Sequence, residues 1–133
     1  MKKAALITTI SLFAVAIVGY FLIMGTGKPI RTDLSLVGQG TPSLVLAYEN
    51  FSPSGGEALN RLRRVQAHFE TRLVILAADL GTPAGRQFAD QHEIIDGQTV
   101  FMNQAGQSIE VSYVAANESE LRATLETYLS RVE

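Results

Sequence analysis
The chain has 133 residues, 47% of them hydrophobic and 18% charged, with a formal net charge of −2 and no cysteine. That length accommodates one modest domain, and the apolar content excludes disorder as a description of the whole. The absence of cysteine excludes a disulfide framework, a thiolate metal site and thiol redox chemistry by this chain alone, and the acidic balance argues against a nucleic-acid footprint.

The 21 residues from Ala4 to Met24 carry no charge. As a helix they would extend about 31 Å, against a bilayer core of about 30 Å. Lys2 and Lys3 precede the run, and Lys28 and Arg31 follow it. A cleaved signal peptide is the rival reading, but it calls for an apolar core of about 7–15 residues ending in small residues. This run is longer and ends in Phe21-Leu22-Ile23-Met24. The expected organisation is an uncleaved signal-anchor over 1–24, a linker over 25–42 with one short strand at Leu34–Val37, and a domain over 43–133. The positive-inside rule gives a mild preference for the N-terminus inside. The domain is then expected outside the cytoplasmic membrane, in the periplasm if the cell is Gram-negative.

Ser43 to Tyr48 is an apolar run that reads as a buried strand. Ser54 and Glu57 stand in S-x-x-E spacing, the pattern of a capping box, and the helix that follows turns Leu59, Leu62, Val65 and Phe69 inward. Leu73 to Ala78 is a second strand, apolar throughout as in a parallel sheet covered on both faces. Thr82-Pro83 starts a helix that runs to about Gln91 and buries Phe88. Thr99 to Met102 is a third strand. A turn through Gly106 leads to a fourth, where Ile109, Val111 and Tyr113 alternate with Ser108, Glu110 and Ser112, the pattern of one wet face. Asn117 caps a last helix striped by Leu121, Leu125, Tyr128, Leu129 and Val132. The fold class is α/β, with a mixed sheet between helices: the first two strands parallel, the last two antiparallel.

This order resembles the thioredoxin fold over about Ser43 to the C-terminus. Leu44 to Gly55 corresponds to the first strand and active-site loop, Asp79 to the acid ending the next strand, and Thr99-Val100-Phe101 with Gly106 to the hairpin. The resemblance implies a three-layer sandwich and places the two cysteine positions on Ser52 and Gly55, with Pro53 and Ser54 between them. It places the buried acid on Leu46 and the cis-proline on Gln98, before Thr99. Nucleophile, resolving thiol, proton-handling acid and substrate-loop proline are missing together. Disulfide exchange needs a thiolate, which serine does not supply. The implied protein is a redox-inactive thioredoxin-like module, not an enzyme, that binds an envelope or membrane protein. Its groove would comprise Tyr48, Phe51, Ser52, Pro53, Ser54, Gly55, Gln98 and Thr99.

Two alternatives stand beside it: a non-redox enzyme centred on Ser52, and a component of an envelope thiol-redox pathway that supplies no cysteine itself. A nucleophilic Ser52 needs a base. His68 and His92 are the only histidines, 24 positions apart, and that spacing does not make a metal site. No catalytic residue, metal or other cofactor is expected. Arg61, Arg63, Arg64 and Arg72 form the one basic cluster, read as a solvated helix face rather than a lipid-binding patch.

Overall fold
The computed structural model describes Val15 and residues 28–133. The anchor expected over Ala4–Met24 lies outside the described residues apart from Val15. Among the described residues no helix is long and apolar enough to cross a membrane.

Four strands form one sheet: β1 (Ser43–Tyr48), β2 (Val74–Asp79), β3 (Gln98–Met102) and β4 (Ser108–Tyr113), in the order β2-β1-β3-β4. β1 runs parallel to β2, with Val45 opposite Leu76, and antiparallel to β3, with Val45 opposite Val100. β3 and β4 are antiparallel, with Val100 opposite Val111. Helices α1 (Pro53–Phe69), α2 (Pro83–His92) and α3 (Glu118–Ser130) complete the element order expected from the sequence.

The alternation of side chains along the central strands divides the core in two. On one face Leu44, Leu46, Ile75 and Phe101 meet Leu62, Val65 and Phe69 of α1 and Leu121, Leu125 and Leu129 of α3. Phe101 stacks on Tyr128 at 5.0 Å between ring centroids. On the other face Val45, Leu76, Val100 and Met102 meet Ala89 of α2 and the flanking Phe88 and Ile94. This is the three-layer α/β arrangement, with a mixed four-stranded sheet and three helices.

The segment expected as a linker with a short strand is built differently. Leu34–Leu36 is a 3-10 turn, held at its start by Asp33, whose carboxylate accepts from Ser35 N at 3.1 Å. The short run Leu34-Ser35-Leu36-Val37 fits either shape; the Asp33 cap decides for the turn. Leu34, Leu36 and Val37 then close the second core, and Arg31 bridges to Leu76 along the outer side of β2.

Helix α1 begins earlier than the S-x-x-E spacing predicts. Ser52 is the N-cap and Pro53 the first helical residue, so Ser54 and Glu57 lie inside the helix and form no capping box. Proline at that position loses no needed donor, which fixes the boundary there. Glu57 instead pairs with Arg61 one turn on. Leu59 is half-buried rather than central, and Ala58 takes the inward position.

Strand β4 inverts the expected burial. Its apolar residues Ile109, Val111 and Tyr113 face water, while Glu110 and Ser112 turn toward α3. The reason is polar pairing: the Ser112 hydroxyl lies 2.8 Å from that of Tyr128, Thr99 Oγ1 donates to the Ser112 carbonyl, and Glu110 pairs with Arg131.

Two of the four arginines of the basic cluster are paired within the fold. Arg72 binds Glu126 at 3.0 Å and Glu133 at 2.9 Å, tying the end of α1 to α3, and Arg61 reaches Glu57 and the Val114 carbonyl.

His92 ends α2 with its ring 4.3 Å from that of Phe88. Burial holds its pKa below the usual imidazole value of 6.5. The folded state therefore binds fewer protons than the unfolded chain in this range, so its contribution to stability is complete above pH 6.5 and declines as pH falls through the lowered value. Thermal melts at pH 7.5 and 5 are expected to differ more for the natural protein than for His92→Asn. Equal differences would remove this account.

Candidate functional site
The loop after β1 carries the positions on which a thioredoxin-like protein would place its chemistry. Tyr48 is half-buried against the first core, and its hydroxyl donates to Asn50 Oδ1 at 2.6 Å. Glu49 to Phe51 turn outward, and Phe51 is 98% exposed. Ser52 N donates back to the Glu49 carbonyl at 3.1 Å, a tight turn that points the chain into α1. The Ser52 side chain makes no capping bond, and Pro53 and Ser54 are exposed.

The chain before β3 closes against this turn. Gly97 N donates to the Ala47 carbonyl at 2.9 Å, and Asp96 Oδ1 accepts from Glu49 N at 2.8 Å. A side chain at Gly55 would begin on top of the Asp96 carboxylate, whose carbon lies 3.2 Å from the ideal Cβ position. Gly55 is buried for this reason. At the position that would hold a resolving cysteine, the carboxylate of another loop occupies the space. It sits beside the first turn of α1, where the positive end of the helix favours an anion.

Not all of the expected groove reaches the surface. Tyr48 through Gly55 gather at one end of the sheet with the loop before β3. Gln98 folds back on its own turn, its Oε1 accepting from Ile95 N, and every described peptide bond there is trans. Thr99 is buried, its hydroxyl turned to β4, so it lines no groove. Leu46, at the buried-acid position, is fully enclosed among apolar side chains.

The residues missed by sequence reasoning are acidic. The three loops that meet here, residues 48–57, 79–84 and 93–98, hold Glu49, Glu57, Asp79, Glu93 and Asp96 and no lysine, arginine or histidine. Asp79 Oδ1 accepts from Gly81 N at 2.8 Å and steadies the second of these loops. The charge imbalance was readable in the sequence once the three loops were known to converge. Among the described residues no three acidic or histidine side chains are placed to hold a metal ion.

Neither histidine is placed to activate Ser52. His68 lies 16 residues further along α1, about 24 Å at 1.5 Å per residue, and approaches Glu126 instead. His92 belongs to the opposite face of the sheet, against Phe88.

No family model matches the chain, and no curated protein does. Solved structures do. A thioredoxin-like protein from Clostridium perfringens is 17% identical, with 77% of this chain and 82% of that one covered at a TM-score of 0.62. The thioredoxin Mala s 13 of Malassezia sympodialis is 14% identical, with 71% and 81% covered at 0.58. Trxlp from Edwardsiella tarda is 19% identical, with 66% and 84% covered at 0.56. The fold of this chain is thioredoxin-like, and it is a degenerate example, with neither the cysteine pair nor the proline before Thr99.

Proposed function
We propose that this cysteine-free thioredoxin-like domain is a membrane-tethered, redox-inactive binding or accessory module of the bacterial cell envelope. The observation that carries the binding role is Phe51: a phenyl ring left almost wholly in water, at the tip of the loop where the fold would otherwise run its chemistry. Large aromatic side chains concentrate at protein interfaces, where burying one contributes about 1.5–3 kcal/mol. The converging loops carry Glu49, Asp79, Glu93 and Asp96 with no basic residue among them, which favours a partner surface with cationic groups. The tether rests on the uncharged run from Ala4 to Met24 with its flanking lysines, and the extracytoplasmic placement on the charge preference across that run.

The test uses the full chain purified from membranes in mild detergent. Phe51→Ala is expected to lose a partner that co-purifies with the natural protein while melting at the same temperature, since the ring is almost wholly exposed among the described residues. Retention of the partner would move the binding face elsewhere. The natural protein is expected to reduce no insulin disulfide; measurable reduction would end the redox-inactive reading. Release of the chain from membranes by alkaline carbonate would end the tether.

A further inference from the structure
Phe51 has an apolar neighbour at its end of the sheet. Ile95 is 61% exposed in the loop before β3, while Ile94 beside it is buried in the second core. The bond from Glu49 N to Asp96 Oδ1 ties this loop to the one that carries Phe51. On a tethered domain two kinds of surface take such a pair: the bilayer, or another protein. The place where the chain enters the fold separates them.

Lys28 is fastened to the opposite end of α1. Its Nζ lies 3.2 Å from Glu70 Oε1, and Gln66 Nε2 donates to its carbonyl at 3.1 Å. Phe51 stands just ahead of Ser52, the N-cap of the same helix. The 17 residues of α1 set these two ends about 25 Å apart. The uncharged run ends at Met24, and four residue steps of about 3.3–3.6 Å bring Lys28 within about 14 Å of it. With the tether proposed above, the Glu70 end of the domain is held at the membrane and the Phe51 end is not. So short a tether still lets the domain lie on its flank, and charge decides against that. The loops around Phe51 carry Glu49, Asp79, Glu93 and Asp96 with no basic residue, so anionic headgroups repel them, while Lys28 and Arg31 stand at the entry.

We infer, resting on that tether, that the Phe51 end faces away from the bilayer, and that Phe51 and Ile95 are covered by a basic segment of a protein partner rather than by lipid. Apolar side chains flanked by lysine or arginine match the apolar pair and its carboxylates together. The segment meets the domain about the length of α1 above the headgroups, so it belongs to a part of the partner outside the membrane.

The chain contains no cysteine, so single cysteines report the orientation without interference. Ser54→Cys, beside Phe51, and Thr71→Cys, beside Glu70, are labelled with a fluorophore in the full chain. Each is placed in nanodiscs of phosphatidylglycerol and phosphatidylcholine with a nitroxide on the headgroup. Quenching is expected at position 71 and its loss at position 54. Equal signals or the reverse order overturn the orientation. A chain that does not co-elute with the discs removes the tether, and the inference with it. In native membranes, p-benzoylphenylalanine at position 95 is expected to crosslink to a protein peptide of net positive charge. The yield should fall about tenfold in Glu49→Lys/Glu93→Lys, the lower range of electrostatic steering. Lipid adducts, a neutral or acidic peptide, or an unchanged yield would each overturn the assignment of the partner.

Discussion

Gly85→Ala is expected to lower the stability of the domain by about 3 kcal/mol, near the upper end of overpacking penalties. The melting temperature should fall by roughly 12–24 °C. Gly85 stands in the first turn of α2 where the helix crosses the end of β2. An added Cβ would lie 2.5 Å from the carbonyl carbon of Asp79 and 2.7 Å from its nitrogen, and closer still to its carbonyl oxygen. These are backbone atoms of a strand hydrogen-bonded into the sheet, so no rotamer change relieves the contact. Either α2 lifts away from Ala78 and Val100, or β2 bends. The same substitution at Gly56, in α1, meets nothing within 4 Å. There it should stabilise by about 0.4–1 kcal/mol, because alanine has less freedom to lose on folding. Thermal and urea melts of the two variants should move in opposite directions. Gly85→Ala melting within a few degrees of the natural protein would mean that α2 does not pack this closely on Asp79.

Restoring the cysteines at positions 52 and 55 is not expected to restore a disulfide. In Ser52→Cys/Gly55→Cys the second side chain begins where the Asp96 carboxylate lies, and that carboxylate is held by Glu49 N. The overpacking should cost about 1–3 kcal/mol. A disulfide also requires Cβ atoms about 3.5–4.5 Å apart, and distortion of the turn works against that distance. Thiol titration in an oxidising glutathione buffer should find both cysteines free. Adding Asp96→Gly removes the obstruction, while the exposed Glu49 N–H finds water, so the triple variant should close its disulfide and regain most of the lost stability. Equal closure in double and triple variants would show that Asp96 moves aside easily and is no barrier. Even the triple variant keeps Leu46 and Gln98 where a working thioredoxin-like site would have an acid and a proline, so it is expected to reduce insulin poorly. The loss of redox chemistry is thus built into the shape of the loop before β3 as well as into the absence of sulfur.

The candidate site was legible in outline. Phe51, Ser52, Pro53 and Ser54 stand at the end of β1 as their spacing predicts, and the glycine at 55 marks the close approach of another segment. The identity of that segment was not legible, because Asp96 is 41 positions away and nothing local marks it as the neighbour of Gly55. Thr99 was placed in the groove by analogy of position and is instead drawn inward by Ser112, a hydrogen bond made only once β3 and β4 pair.

What the sequence determined by itself is the order of elements, the unbroken apolar runs of β1 and β2, the inward stripes of α1 and α3, and the want of any thiol. These are properties of short windows, where periodicity and residue chemistry speak directly. What only the tertiary structure decided is which side of β4 is wet. A period of two divides a strand into two faces without saying which one is covered. Here Tyr128 and Arg131 of α3 offer partners to Ser112 and Glu110, and turning the strand over would leave the hydroxyl of the buried Tyr128 without Ser112. Pairing between residues distant in the chain overrides the local pattern.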